Sequence, residues 1–587
     1  MADRSASIPE MKAVRAPHGR YDVAILGGGL AGLSMALQLK RQRPETKVLV
    51  ADKRAEPAPE AAFKVGESTV ENGAYYYREI LGMKDHLQEH QLRKLGLRFY
   101  YPAGDNSDLT KRVEFCTPAT PGDHPVWTHQ IDRGRFENEL FNRCVSHGAD
   151  AYRGWRVTDV QLGEGQDDHS VTLTHEDEAV TVSARWVVDA TGRHNLLRNK
   201  LQLGTETGHH INAAWFRLKG GLDFEDWVKD KEWLDRESQI GIRSYATTHL
   251  VGQGYWVWLI RLASGPISIG LCADPRFHPF DQINTFDGMV SWLEKHEPQL
   301  AAEVNGRREQ VEDFLVIEDF SYASNQIFSM DRWTLSGEAA GFIDALYSPG
   351  SDFIAYCNSF GGDLIKRDLD GEDIEERLDF FNFFFFQLFD PTIWLYKDQY
   401  QFFGNAQVML AKQMYDNTAY FSTLAFLFVH DKMTQPEDLG DIVEIFETII
   451  PLLGRMQDLY REWHAIDQRK WEGVSVLCNQ FEPIAKTQYE IGQPFSQEEM
   501  IEVARKKVEL LKAMATWTFF TAAKNLPDPP DESARINPLV VSLDPKKWEE
   551  EGLFTDAEGS MSLAEAIALL PGVEEFDLEA RGALVAS

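Results

Sequence analysis

The sequence predicts a mixed α/β fold: a strand–turn–helix–strand unit near the N-terminus, interleaved with a second β-sheet and followed by a mainly helical C-terminal region. Three observations predict it. Tyr21 to Leu26 is a short apolar run that enters a glycine turn, and a helical pattern and a second apolar run follow. Residues from about 97 to 335 alternate as strands do, as in Ser170-Val171-Thr172-Leu173-Thr174 and Ile267-Ser268-Ile269-Gly270-Leu271. From about 353 onward the period becomes helical and the composition strongly aromatic.

Taken in order, residues 1–20 are polar, lack the apolar segment of a leader and read as a flexible tail. Residues 21–365 form the nucleotide-type unit, with the second sheet inserted over about 97–130 and 205–330. Ala31 to Lys40 reads as the first helix and Lys47 to Ala51 as the second strand. Trp186-Val187-Val188-Asp189 is a buried strand, and Ala190-Thr191-Gly192 is its exit turn. Residues 366–527 read as a helical domain, and 528–587, Pro-rich and then acidic, as a loosely docked tail. The run from Phe380 to Phe389, with Asn382 and Gln387 inside it, is too short to span a bilayer. It reads as a buried helix, with an apolar substrate wall as the alternative.

Composition narrows the function. A chain of 587 residues with 43% hydrophobic content can bury a large core. Its formal net charge of -33 repels phosphate backbones and anionic lipid, so nucleic acid and membrane are not expected partners. The five cysteines, Cys116, Cys144, Cys272, Cys357 and Cys478, are scattered with no short spacing. That excludes a cysteine metal clamp or redox dithiol and suits reduced thiols in the cytoplasm. No metal site is expected.

The chemistry starts at the glycine turn. Gly27, Gly29 and Gly32 have the spacing G-x-G-x-x-G between a strand and a helix, and Asp52 ends the next strand. That context is the dinucleotide fingerprint of a Rossmann-like fold. Gly27 permits the turn, Gly29 lets a pyrophosphate approach the backbone, and Gly32 lets the helix lie close on the sheet. Leu30 and Ala31 open a helix whose free N–H groups and dipole favour phosphate. Asp52 can accept from ribose hydroxyls, which argues against reading Lys53 and Arg54 as a 2′-phosphate site. The turn alone does not separate FAD from NAD.

Further motifs carry a resemblance. Lys64-Val65-Gly66-Glu67-Ser68-Thr69-Val70, Arg133 within Ile131-Asp132-Arg133-Gly134-Arg135-Phe136, Asp189-Ala190-Thr191-Gly192 and Leu335-Ser336-Gly337-Glu338 stand in one order along the chain. Together they resemble the flavin-dependent halogenases of the flavin monooxygenase superfamily. The resemblance implies FAD, held by Gly27, Gly29, Leu30, Ala31, Gly32, Asp52, Lys53, Glu67, Ser68, Thr69, Arg133, Asp189, Gly337 and Glu338. Glu338 stands where the family has Asp. Tyr255-Trp256-Val257-Trp258-Leu259-Ile260-Arg261 resembles the family's W-x-W-x-I-P signature, with Arg261 in place of proline. The two indoles fall on one face of a strand. The family makes hypohalous acid from reduced FAD, dioxygen and chloride or bromide, and passes it to a lysine in a separate substrate pocket. Lys94 matches that lysine by its distance from the G-E-S-T stretch, and is expected on the order of 10 Å from the flavin ring, facing its own cavity.

Asp344 to Ser351 covers the family's halide loop, which implies halide contacts at Ser348, Pro349, Gly350 and Ser351. Tyr347 replaces the glutamate of tryptophan-modifying members, as in members acting on phenols or pyrroles. Pro349 removes one N–H donor, because proline has none. The implied activity is halogenation of an electron-rich aromatic, free or tethered to a carrier protein, with reduced FAD from a separate NAD(P)H-dependent flavin reductase. The alternative is a related oxygenase that hydroxylates or oxidises an aromatic without halide, which Pro349 and Arg261 favour.

Overall fold

The computed structural model describes residues 16–62, 64–117, 124–236, 242–477 and 481–582. Most of the expected N-terminal tail, and Cys478, lie outside the described residues.

The first sheet is built on the strand Arg20–Leu26, whose residues from Val23 to Leu26 are fully or almost fully buried. It pairs in parallel with Val48–Asp52 on one side and with Glu178–Asp189 on the other. Trp333–Leu335 and Asp150–Arg153 extend the parallel array. Such a sheet is covered on both faces, which is why its strands read as continuous apolar runs. The strand leads into the helix Leu30–Gln42, buried for most of its length. These elements match the expected α/β unit.

The second sheet has eight strands. Asn212–Leu218, Thr247–Gly252, Tyr255–Arg261 and Ile267–Ala273 form its antiparallel centre. Leu97–Tyr101 joins it in parallel to Thr247–Gly252, and Val113–Cys116 follows. One edge strand, Ser475–Leu477, comes from the region expected to be mainly helical and pairs in parallel with Val113–Cys116. Three residues carry too weak a period to be read locally, so the distant partner defines this strand.

The helical region begins with Gly350–Leu369 and Glu375–Trp394. The helices Ala406–Ser422, Ile450–Ile466 and Gln497–Ala523 pack behind them. One apolar cluster runs through both sheet and helices, from Tyr21 to Leu578. The C-terminal segment is not loosely docked. Phe576 and Leu578 are fully buried, the Gln407 amide donates to the Phe576 carbonyl at 2.8 Å, and the Leu578 N–H donates back to Gln407 at 2.7 Å. Widely spaced apolar residues hid this docking behind an acidic composition.

Candidate active site

Two cavities meet at the start of the helix Gly350–Leu369, and Pro349 and Phe353 line both. The first, about 580 Å³, is built around the glycine turn. Gly27 has φ +111°, and a Cβ there would stand 2.3 Å from the Ala190 carbonyl oxygen. Only glycine accepts both conditions. At Gly29 a Cβ would meet only the Lys64 ammonium, at 3.5 Å, so the backbone lies open to the cavity. The helix that starts at Leu30 has no side-chain cap and no acidic residue in its first turn. Its first N–H groups are therefore available to an anion.

Leu30, Ala31, Asp52, Lys53, Glu67, Ser68, Arg133, Gly337 and Glu338 line this cavity. Three expected contacts do not. Gly32 lies beneath the turn, where a Cβ would be 2.0 Å from the Gly27 oxygen, so its part is helix–strand packing. Asp189 is fully buried and accepts from the Thr191 N–H and hydroxyl and from the Leu197 N–H, fixing the loop that reaches the cavity at Ala190–His194. Thr69 points away: its hydroxyl donates to the His129 carbonyl at 3.0 Å.

Charge is placed unevenly here. Lys64 lines the cavity and donates to the buried Glu137 at 2.7 Å, and Arg133 donates to the same carboxylate at 2.8 Å and to the Val65 carbonyl. The Arg133 Nε is buried without a partner. Glu67, although on the wall, is held by Arg217 at 2.8 Å. Its role is to fix the Gly66–Ser68 stretch. Lys64 and Arg54, with Arg156 and Arg193 that the motifs did not single out, add positive charge. Open backbone at Gly29, an uncapped helix start, an unpartnered guanidinium nitrogen and a carboxylate at Asp52 fit a dinucleotide diphosphate and ribose.

Toward the second sheet the wall becomes aromatic. Trp256 and Trp258, with centroids 5.7 Å apart, both face the first cavity. The Trp256 indole donates to the Tyr400 hydroxyl at 2.8 Å, which donates to Asp344 at 2.7 Å. His209 contacts the same Asp344 oxygen at 2.8 Å. His249, not foreseen, stacks on Phe99, and burial pushes its pKa down to about 3, so it stays neutral. Ser348, at φ +57°, and Gly350 and Ser351 line the cavity at the helix start. Pro349 is the residue just before that helix.

The second cavity, about 230 Å³, is mostly apolar. One face of the helix Glu375–Trp394 supplies Phe380, Phe383, Phe384 and Leu388, so the phenylalanine run is both a packed helix and a cavity wall. Tyr347 lines this cavity rather than the first, and its hydroxyl donates to Asp416 at 3.2 Å. Lys94 stands here too, 3% exposed. Its ammonium donates to the Ser68 hydroxyl at 2.9 Å and to the Thr69 carbonyl at 2.8 Å. Ser68 is on the wall of the first cavity, so a single hydroxyl separates the two sites at this point. Burial lowers the Lys94 pKa to about 8. Glu71 and Asp352, also not foreseen, are buried at the same end of the cavity.

The comparisons agree with this geometry. The FAD binding domain model matches residues 20–264. A flavin-dependent halogenase, chlA, of Dictyostelium discoideum is 28% identical over 435 residues, covering 69% of this chain and 70% of that protein. A brominase of pyrrole-2-carbonyl on a peptidyl carrier protein, from Pseudoalteromonas luteoviolacea, is 26% identical, covering 60% and 79%. Among solved structures, halogenase PltM is similar in fold, with a TM-score of 0.58 at 17% identity, over 84% of this chain and 96% of that one. Among the described residues no helix is long and apolar enough to cross a membrane. With the glycine turn, the paired cavities and these relatives in hand, the chain is an FAD-dependent oxidoreductase similar in sequence to flavin-dependent halogenases.

Proposed function

We propose that the chain halogenates an electron-rich aromatic, of phenol or pyrrole type, with FAD in the first cavity and the aromatic in the second. The observation that carries the reading is Lys94: a buried ammonium at one end of an aromatic-walled cavity, one hydroxyl away from the dinucleotide site. Bound FAD, reduced by a separate reductase, supplies the electrons that activate dioxygen. The protein's residues do the rest. The amides from Gly29 onward and the Arg133 guanidinium hold the phosphates and flavin end, and Asp52 takes the ribose. Trp256 and Trp258 fill the space beside the ring and keep the aromatic out of the first cavity. Gly350 and Ser351 offer N–H groups to chloride or bromide in the absence of a donor at Pro349. Lys94 receives the resulting hypohalous acid and donates a hydrogen bond to its oxygen, which makes the halogen more electrophilic.

The charged members of the substrate wall other than Lys94 are carboxylates, Glu71, Asp352, Asp416 and Glu447. This favours an uncharged aromatic with an apolar body over an anionic one. A carrier-bound substrate is the variant that the brominase relative suggests.

The test is mass spectrometry of products from purified protein, FAD, a flavin reductase and a panel of phenols and pyrroles, with chloride or bromide. A halogen isotope pattern supports the reading. Oxygen incorporation at a rate indifferent to halide overturns it in favour of a halide-independent oxygenase, the reading that Pro349 supports.

A further inference from the structure

We propose that Asp352 is the base that removes the ring proton during halogenation. The inference rests on the reading above and adds a residue and a step to it.

Asp352 belongs to the first turn of the helix Gly350–Leu369, the segment that divides the cavities. Its carboxylate faces the second cavity at 3% residue exposure, with Lys94 and Glu71 on the same wall. Each oxygen has one donor: the Gly73 N–H gives to Oδ1 at 2.7 Å and the Tyr420 hydroxyl to Oδ2 at 2.7 Å. A carboxylate oxygen accepts more than one hydrogen bond, so each keeps a lone pair for a proton. Buried acids are usually paired, as Glu137 is with Arg133 and Asp416 with Lys412, whereas Asp352 is held by a backbone N–H and a tyrosine hydroxyl. A buried carboxylate held only by neutral donors beside a reaction space is costly and calls for a role. Burial raises the Asp352 pKa to about 7, opposed by Tyr420, Gly73 and Lys94 and reinforced by Glu71. The group is thus basic enough to take a proton and still substantially ionised near neutrality. Tyr77, Tyr356 and Tyr396 are the other titratable groups that feel its charge, and burial holds all three in the neutral form.

Glu71 is the competing carboxylate. It receives one hydrogen bond from the Gln488 amide, at 2.9 Å, and burial raises its pKa. Asp352 has two donors and lies at the positive end of a 20-residue helix, both of which favour its ionised form. The hydrogen bonds and the helix end therefore favour Asp352 over Glu71 as the carboxylate that carries the negative charge.

The step balances as follows. A carbon–halogen bond forms as the halogen–oxygen bond of hypohalous acid breaks. The departing hydroxide takes a proton from the Lys94 ammonium and leaves as water. The proton on the substituted ring carbon passes to an Asp352 oxygen as its electron pair restores the aromatic ring. Transfer of that proton from Asp352 to neutral Lys94 resets both groups. The net change is aromatic C–H plus hypohalous acid to aromatic C–halogen plus water.

The experiment compares wild type, Asp352→Asn, Glu71→Gln and Tyr420→Phe, all loaded with FAD, on a ring-deuterated substrate that wild type halogenates. Asparagine keeps the shape and removes the basicity. Asp352→Asn is expected to lower kcat by about 10²-fold or more with KM little changed, to develop a primary deuterium isotope effect absent from wild type, and to lose the low-pH limb of the kcat profile. Tyr420→Phe removes a donor that stabilises the carboxylate, so it is expected to move that limb to higher pH. Independent of turnover, infrared titration is expected to show a protonated-carboxyl band that grows below about pH 7 in wild type and is missing from Asp352→Asn. An Asp352→Asn enzyme of undiminished kcat and no isotope effect overturns the proposal, as does the isotope effect appearing in Glu71→Gln instead. A wild type that halogenates nothing fails at an earlier point and overturns the halogenase reading itself.

Discussion

At the scale of the residue, the role proposed for Lys94 rests on its placement. Most lysines are solvated. This one spends two of its three donors on Ser68 and Thr69 and has its remaining capacity on the cavity side. We expect Lys94→Ala to abolish halogenated product while FAD affinity and reductant-driven oxygen consumption stay at wild-type levels; a parallel loss of FAD, read by flavin fluorescence titration, would contradict the role. The ammonium is the useful form, so activity should fall as pH rises through about 8, the value to which burial lowers the group. A steady-state kcat–pH profile measures that limb. Asp52 tests the other site. It lines the first cavity and accepts the Arg54 N–H at 2.9 Å. Removing a charged acceptor for ribose hydroxyls costs about 1.5–3 kcal/mol, so Asp52→Ala should weaken FAD binding by roughly 10- to 100-fold in the same titration.

At the scale of the element, two segments were readable to different depths. The glycine turn was legible because its constraints are local: a left-handed φ at Gly27, open backbone at Gly29, a close contact at Gly32. The same closeness predicts that Gly32→Ala costs about 1–3 kcal/mol through overpacking against the Gly27 carbonyl, with loss of bound flavin. Chemical denaturation and the flavin absorbance of the purified protein measure the two effects. The phenylalanine helix was legible as a helix but not as to which face it buries. Phe384 stacks with Phe380 at 5.4 Å inside the cavity wall, whereas Phe383, on the same wall, stays 61% exposed. Widening Phe384 to Trp should fill part of the 230 Å³ space and raise KM for the aromatic without changing FAD affinity, a split that substrate and flavin titrations resolve.

At the scale of the whole molecule, a single apolar cluster joins the nucleotide sheet to the helical region and reaches Leu578. The segment after Asp528 is part of this core, since Phe576 packs against Phe115 and Phe481 with centroids 6.1 and 5.3 Å apart. Truncation at residue 527 should therefore leave a destabilised protein with a lower thermal midpoint and little bound flavin. An unchanged melting curve would restore the reading of a loose tail. The four described cysteines are buried, and burial raises the thiol pKa of Cys144 and Cys357 to about 12, so these two contribute packing rather than redox chemistry.

The sequence by itself determined what depends on neighbours a few residues apart: the strand–turn–helix that receives a diphosphate, the paired indoles on one strand face, and the order of motifs that marks the family. It also pointed to Lys94, through a spacing shared with relatives. Only the tertiary structure decided which carboxylates stand with that lysine. Glu71, Asp352, Tyr420 and Gln488 meet there from four segments far apart in the chain, and no local pattern distinguishes them from other acids, tyrosines and glutamines. Their chemistry comes from burial and from one another, since a low dielectric and a few directed donors set which group holds a proton.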